Sequence, residues 1–152
     1  MPIDCPSAYV ADGDTIRCGS ERLPLLGIDA PELHRCPSWR TCVTGDGAAS
    51  RRSLVSALRF GRIRYTIITR DRFGRAGSRV WAGSTNLACY QLQRGLAVYE
   101  PRWDNGGILA SSCPIVAAAC PGHSWPRVDR QLTAALLALL TLLRSGQEYQ
   151  YA

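Results

Sequence analysis

The stretch VADGDTIRCGSERLPLLGIDAPE, Val10 to Glu32, decides how the rest of the chain is read. Ala8–Val10 and Thr15–Cys18 read as short strands. The DGD between them is a tight-turn signal, with Gly13 free to take positive φ. Arg22–Ile28 reads as a third strand, with Pro24 in its course. Two acidic clusters, DGD and DAPE, close the ends of this run. Asp12, Asp14, Asp29 and Glu32 thus gather in a chain whose formal charge is +6.

Beyond Glu32, residues 29–46 are rich in Pro, Cys, Gly and Asp and read as a long loop. ASRRSLVSALRF then sets Leu54, Val55 and Leu58 at helical spacing, with arginines on another face. RIRYTII alternates Arg62, Arg64 and Thr66 against Ile63, Tyr65 and Ile67, the pattern of a half-buried strand. RDRFGR reads as a turn, and AGSRVWA as the next strand. NLACYQLQRGLAV places Leu87, Tyr90 and Leu92 to one side before Gly95 ends a helix. Three strands, a helix, two strands and a helix fit a small mixed barrel better than a parallel α/β sheet. After about Trp103 the periodicity decays. Asp129 is placed to cap a last helix running to Arg144.

A chain of 152 residues is one domain with room for an appended tail. All 18 basic residues are arginine. Arginine's planar fork matches phosphate geometry, so a polyanion partner is compatible with this charge; GC-rich coding is the plain alternative. Seven cysteines include no CxxC pair, and His34 and His123 are the two histidines, so the usual zinc spacings are missing. Disulfides in an oxidising compartment are expected. Cys36 and Cys42 flank a short loop and are the first candidate pair, and Cys5 and Cys18 face across the first hairpin. Buried, reduced thiols are the alternative. The N-terminal MPIDCPS has no apolar run and does not read as a signal peptide. The expectation is a secreted or periplasmic protein whose leader is absent from this chain. The apolar run Leu132–Leu143 is shorter than the ~20 residues that span a bilayer.

Carboxylates at the ends of neighbouring strands suit a hard cation with oxygen ligands, Ca²⁺ or Mg²⁺. A further carboxylate can take a proton from water, and arginines opposite can neutralise charge on phosphorus. DGDT, RLPLLGIDAPE, RDRFGR and NLACYQLQRGLAVYE together resemble the signature segments of the staphylococcal-nuclease family, in its order and spacing, from about Ser7 to Trp103. The resemblance implies a five-stranded OB-type barrel with helices over residues 1–108. An extension over 109–152 then carries a leucine-rich helix near 129–144, with Leu132, Leu136, Leu139, Leu140 and Leu143 on it. It implies a Ca²⁺-dependent, sugar-nonspecific phosphodiesterase acting on DNA and RNA, single strands preferred, that leaves 3′-phosphate ends. Carried over, Asp14, Asp29 and the carbonyl of Ala30 are calcium ligands, with Asp12 nearby. Glu32 is the general base and Arg75 a phosphate ligand. The family's second phosphate arginine falls on Pro24, which carries no charge, and Arg22 is the residue placed to compensate. Arg72, Phe73 and Tyr99 are candidates for nucleic-acid contact. Trp39 and His34 have weaker claims. A binding domain of the same fold with little catalysis is the alternative function.

Overall fold

The computed structural model describes residues 1–70 and 76–119. Residues 71–75 of the RDRFGR segment, with Arg72, Phe73 and Arg75, lie outside the described residues, as do Cys120 and the expected helix near 129–144.

The described residues form a mixed α+β domain of antiparallel sheets with a few short helices. Strand β1 is Ile3–Asp4, β2 Ala8–Asp12, β3 Thr15–Cys18 and β4 Glu21–Pro24. β2, β3 and β4 form one antiparallel sheet, with Val10 opposite Ile16 and Thr15 opposite Pro24. The register shifts between Val10 and Asp12, so the DGD turn leaves the hairpin through a bulge. The third strand is shorter than its apolar run. It stops at Pro24, and Gly27 at φ 75° turns the chain before β5, Ile28–Asp29. Leu25 bridges to Ser78 of another sheet, which links the two.

Helix α1 spans Gly47–Ala57, capped by the Asp46 side chain on the N–H of Ala49. Its buried face is Gly47, Ser50, Leu54 and Ala57. Val55, expected on that face, is exposed, because the contact stripe runs through small residues that let the helix approach β2 closely. Strands β6, Ile63–Arg70, and β7, Ala76–Ala82, pair as a long hairpin, and β1 joins at Tyr65 and Arg64. The alternation holds here: Ala76, Ser78, Val80 and Ala82 are buried, with partly exposed residues between them. β8, Thr85–Asn86, adds to β7. Asn86 then caps α2, Leu87–Gln93, through the N–H groups of Ala88 and Cys89. β9, Val98–Tyr99, pairs with β5, setting Ile28 opposite Tyr99 and Asp29 opposite Val98. Among the described residues the strands thus fall into three hydrogen-bonded groups.

The weakly periodic segment after Trp103 is helical in part. It forms α3, Ile108–Ser112, and α4, Pro114–Ala119. Leu109, Cys113 and Val116 belong to the same apolar core as Val10, Ile16, Leu23, Ile28, Leu54, Val80 and Leu87. The core therefore continues past residue 108, where the sequence places the start of an extension. Three disulfides tie it: Cys5–Cys18, Cys36–Cys42 and Cys89–Cys113. The first two are the pairs expected. The third joins residues 24 apart in sequence, across α2 and the segment between α3 and α4, a distance no local spacing reveals. Among the described residues no helix is long and apolar enough to cross a membrane.

Candidate functional site

The two acidic motifs meet. The carboxylate of Asp14, in the β2–β3 turn, accepts a hydrogen bond from the N–H of Ala30 at 2.9 Å, and another from the Thr15 hydroxyl at 2.9 Å. Asp14 therefore sits against the peptide that follows Asp29. Backbone bonds hold the same junction, since the N–H of Leu25 donates to the Asp14 carbonyl at 2.7 Å. Asp12 accepts weakly from the Asp14 N–H and pairs with Arg22 at 3.6 Å. Loss of hydration, with Asp12 adding a hydrogen bond and like charge, pushes the Asp14 carboxyl up to about 7.

What Gly13 supplies here is space. Its φ lies outside the left-handed region, contrary to the turn expectation, but a side chain there would overlap Ser50 and Ala30. The Gly13 carbonyl also accepts from Nε2 of Gln91 at 2.7 Å. Gln91 is fully buried on α2, and the same amide nitrogen reaches the carbonyl and hydroxyl oxygens of Ser50 on α1. A buried glutamine thus joins both helices to the acidic turn. Helical spacing pointed to Leu87, Tyr90 and Leu92 and passed over Gln91, because a polar residue on a buried helix face carries no periodic signature. Gly13→Ala is expected to destabilise the protein by about 1–3 kcal/mol through overpacking. A shift of the urea midpoint to lower concentration checks this, and an unchanged midpoint counts against a close-packed turn.

The backbone of Glu32 lies close against the start of α1, where a Cβ on Gly47 would overlap the Glu32 carbonyl. Its side chain is not open to solvent alone. Arg40, in the loop closed by Cys36–Cys42, places Nη1 3.1 Å from Glu32 Oε1. Nη2 of the same guanidinium lies 2.9 Å from both oxygens of the buried Asp29. Sequence reading singled out the neighbouring Trp39, which is 78% exposed, and missed Arg40. The available signal was a cation inside a cysteine-closed loop eight residues after Glu32. His34 is exposed. Tyr99 is partly buried against the core and its hydroxyl donates to Asp104 at 2.7 Å, so its polar end is engaged structurally.

The structure therefore brings Asp12, Asp14, Asp29, Ala30 and Glu32 into one region, with Arg22 on Asp12 and Arg40 on Asp29 and Glu32. Among the described residues, no three His, Cys, Asp or Glu side chains are gathered as a metal cage. The expected set is leaner: two carboxylates and a backbone carbonyl. Its donors are all oxygen, and each Asp14 oxygen that accepts one hydrogen bond retains a lone pair. Such a set fits a hard cation that keeps most of its coordination for water and substrate.

No family model matches the chain. An alignment 115 positions long, which covers 69% of the chain, is 33% identical to the succinoglycan biosynthesis protein ExoI of Rhizobium meliloti (strain 1021). The chain spans 56% of the length of that relative.

Proposed function

We propose that the chain is a Ca²⁺-dependent, sugar-nonspecific nuclease of the staphylococcal-nuclease type, built on a five-stranded OB-type barrel. It hydrolyses phosphodiesters of DNA and RNA, single strands preferentially, to 3′-phosphate products. The observation that carries this reading is the bond from Ala30 N–H to Asp14, which joins acidic motifs 16 residues apart beside Glu32. Asp14, Asp29 and the Ala30 carbonyl would hold the ion, which when bound supplies positive charge beside the phosphate. Glu32 accepts a proton from the attacking water as the new O–P bond forms. The bond from phosphorus to the 5′ oxygen breaks and that oxygen takes a proton from solvent water, leaving a 5′-hydroxyl and a 3′-phosphate. Arg75 is assigned to the phosphate and to departure of the 5′ oxygen. The three disulfides support a secreted or periplasmic setting. The similarity to ExoI, whose name places that protein in succinoglycan biosynthesis, leaves the reaction open.

A second reading, a nucleic-acid-binding domain with little turnover, draws on two features. Pro24 brings no charge to the phosphate, and Arg40 engages both Asp29 and Glu32. Incubation with single-stranded DNA, in calcium and then in chelator, separates the two. Cleavage in calcium that stops in chelator, with 3′-phosphate ends, is the expected result. Binding without cleavage in both conditions supports the second reading.

A further inference from the structure

The loop closed by Cys36–Cys42 carries a cation into the acidic site. Arg40 spans a carboxylate assigned to the metal, Asp29, and the carboxylate assigned to the water, Glu32. The disulfide holds the loop ends with Cα atoms 5.9 Å apart, so the backbone at Arg40 has little room to leave. Among the described residues, the strand that follows the first hairpin adds little free phosphate-binding charge to the site. Pro24 has none, and Arg22 lies on Asp12.

We propose that Arg40 is the second phosphate-binding arginine of this site, held in reserve on Asp29 and Glu32 by the disulfide-closed loop. The inference rests on the nuclease reading. A divalent cation and the Arg40 guanidinium compete for the same two Asp29 oxygens, so arrival of one displaces the other. The displaced guanidinium loses its charge-assisted bonds to Asp29 but stays within a side chain's length of the site. A phosphate bound there offers paired oxygens that match its fork, which a Lys ammonium would not reproduce. In the substrate-free state the same contact keeps Asp29 and Glu32 from facing each other without a counter-charge.

Calorimetric titration of the oxidised full chain tests this on wild type, Arg40→Ala and Arg40→Lys. Each is titrated with CaCl₂ alone, then in calcium with a phosphorothioate-linked single-stranded oligonucleotide. Loss of the competitor should tighten calcium binding of Arg40→Ala by roughly 2–5-fold, the scale of a partly exposed ion pair. Its oligonucleotide affinity should fall about 10-fold, and its cleavage of unmodified DNA about 10²-fold, as when a preorganised donor is removed from a reacting anion. Arg40→Lys should recover part of the oligonucleotide affinity. A merely structural Arg40 would lower the thermal midpoint and leave calcium affinity unchanged. Equal calcium and oligonucleotide affinities in wild type and Arg40→Ala overturn the proposal. Tighter calcium with unchanged oligonucleotide binding also overturns it, leaving Arg40 a plug. A wild-type protein that binds no calcium overturns the nuclease reading, and this inference with it.

Discussion

Glu32→Gln is expected to lower cleavage of single-stranded DNA by about 10²–10⁴-fold, the usual cost of losing a general base. Calcium affinity should stay close to wild type, because the metal ligands assigned are Asp14, Asp29 and the Ala30 carbonyl. The amide is nearly isosteric, so the backbone of Glu32 against Gly47 should not shift. What it cannot do is accept the water proton at neutral pH. Arg40 keeps Asp29 as its partner through Nη2, so the loop retains an anchor. Asp29→Ala should give the complementary result, with weakened calcium binding and lost activity together. Rates measured at saturating calcium, beside calorimetric affinities, distinguish the two roles. A Glu32→Gln protein that cleaves at the wild-type rate shows that Glu32 does not handle the proton.

Asp104→Ala should produce the largest loss of stability of any single change considered, about 3–4 kcal/mol. Asp104 is completely buried. Its carboxylate accepts from the N–H of Leu109, from the N–H of Ala110 at 3.0 Å and from the Tyr99 hydroxyl at 2.7 Å. Alanine leaves all three donors without that acceptor, and each is costly to strand in the interior. The same residue holds α3 to the strand pair β5–β9, because Tyr99 lies opposite Ile28. Asp29 is the next residue on β5, so loosening there should reach the acidic site. The urea midpoint should fall, and calcium affinity should weaken with it. Tyr99→Phe removes one of the three donors and should cost about 1 kcal/mol. If Asp104→Ala unfolds at the wild-type urea concentration, the carboxylate network contributes nothing and the assignment of its role is wrong.

The sequence by itself determined the elements whose cause is local. The hairpin at DGD, the alternation of β6 and β7 and the helix after the acidic loop all follow from neighbours within a few residues. So do two disulfides, Cys36–Cys42 and Cys5–Cys18, which close a short loop and a hairpin. The acidic residues of the site were legible for the same reason, each lying in a short turn-like motif. The tertiary structure alone decided what those residues face. Arg40 lies eleven residues from Asp29, Gln91 lies 78 from Gly13, and Cys113 lies 24 from Cys89. None of these spacings is a period of a helix or a strand. Hydrophobic patterning can assign a buried face, but it cannot assign a partner to a buried polar group. The Nε2 group of Gln91 and the carboxylate of Asp104 are tolerated in the core because packing delivers their hydrogen-bonding partners. Gly13 shows the same division: the sequence called for a glycine's freedom of φ, whereas the fold uses its lack of a side chain, because Ser50 and Ala30 close over it from elements far along the chain.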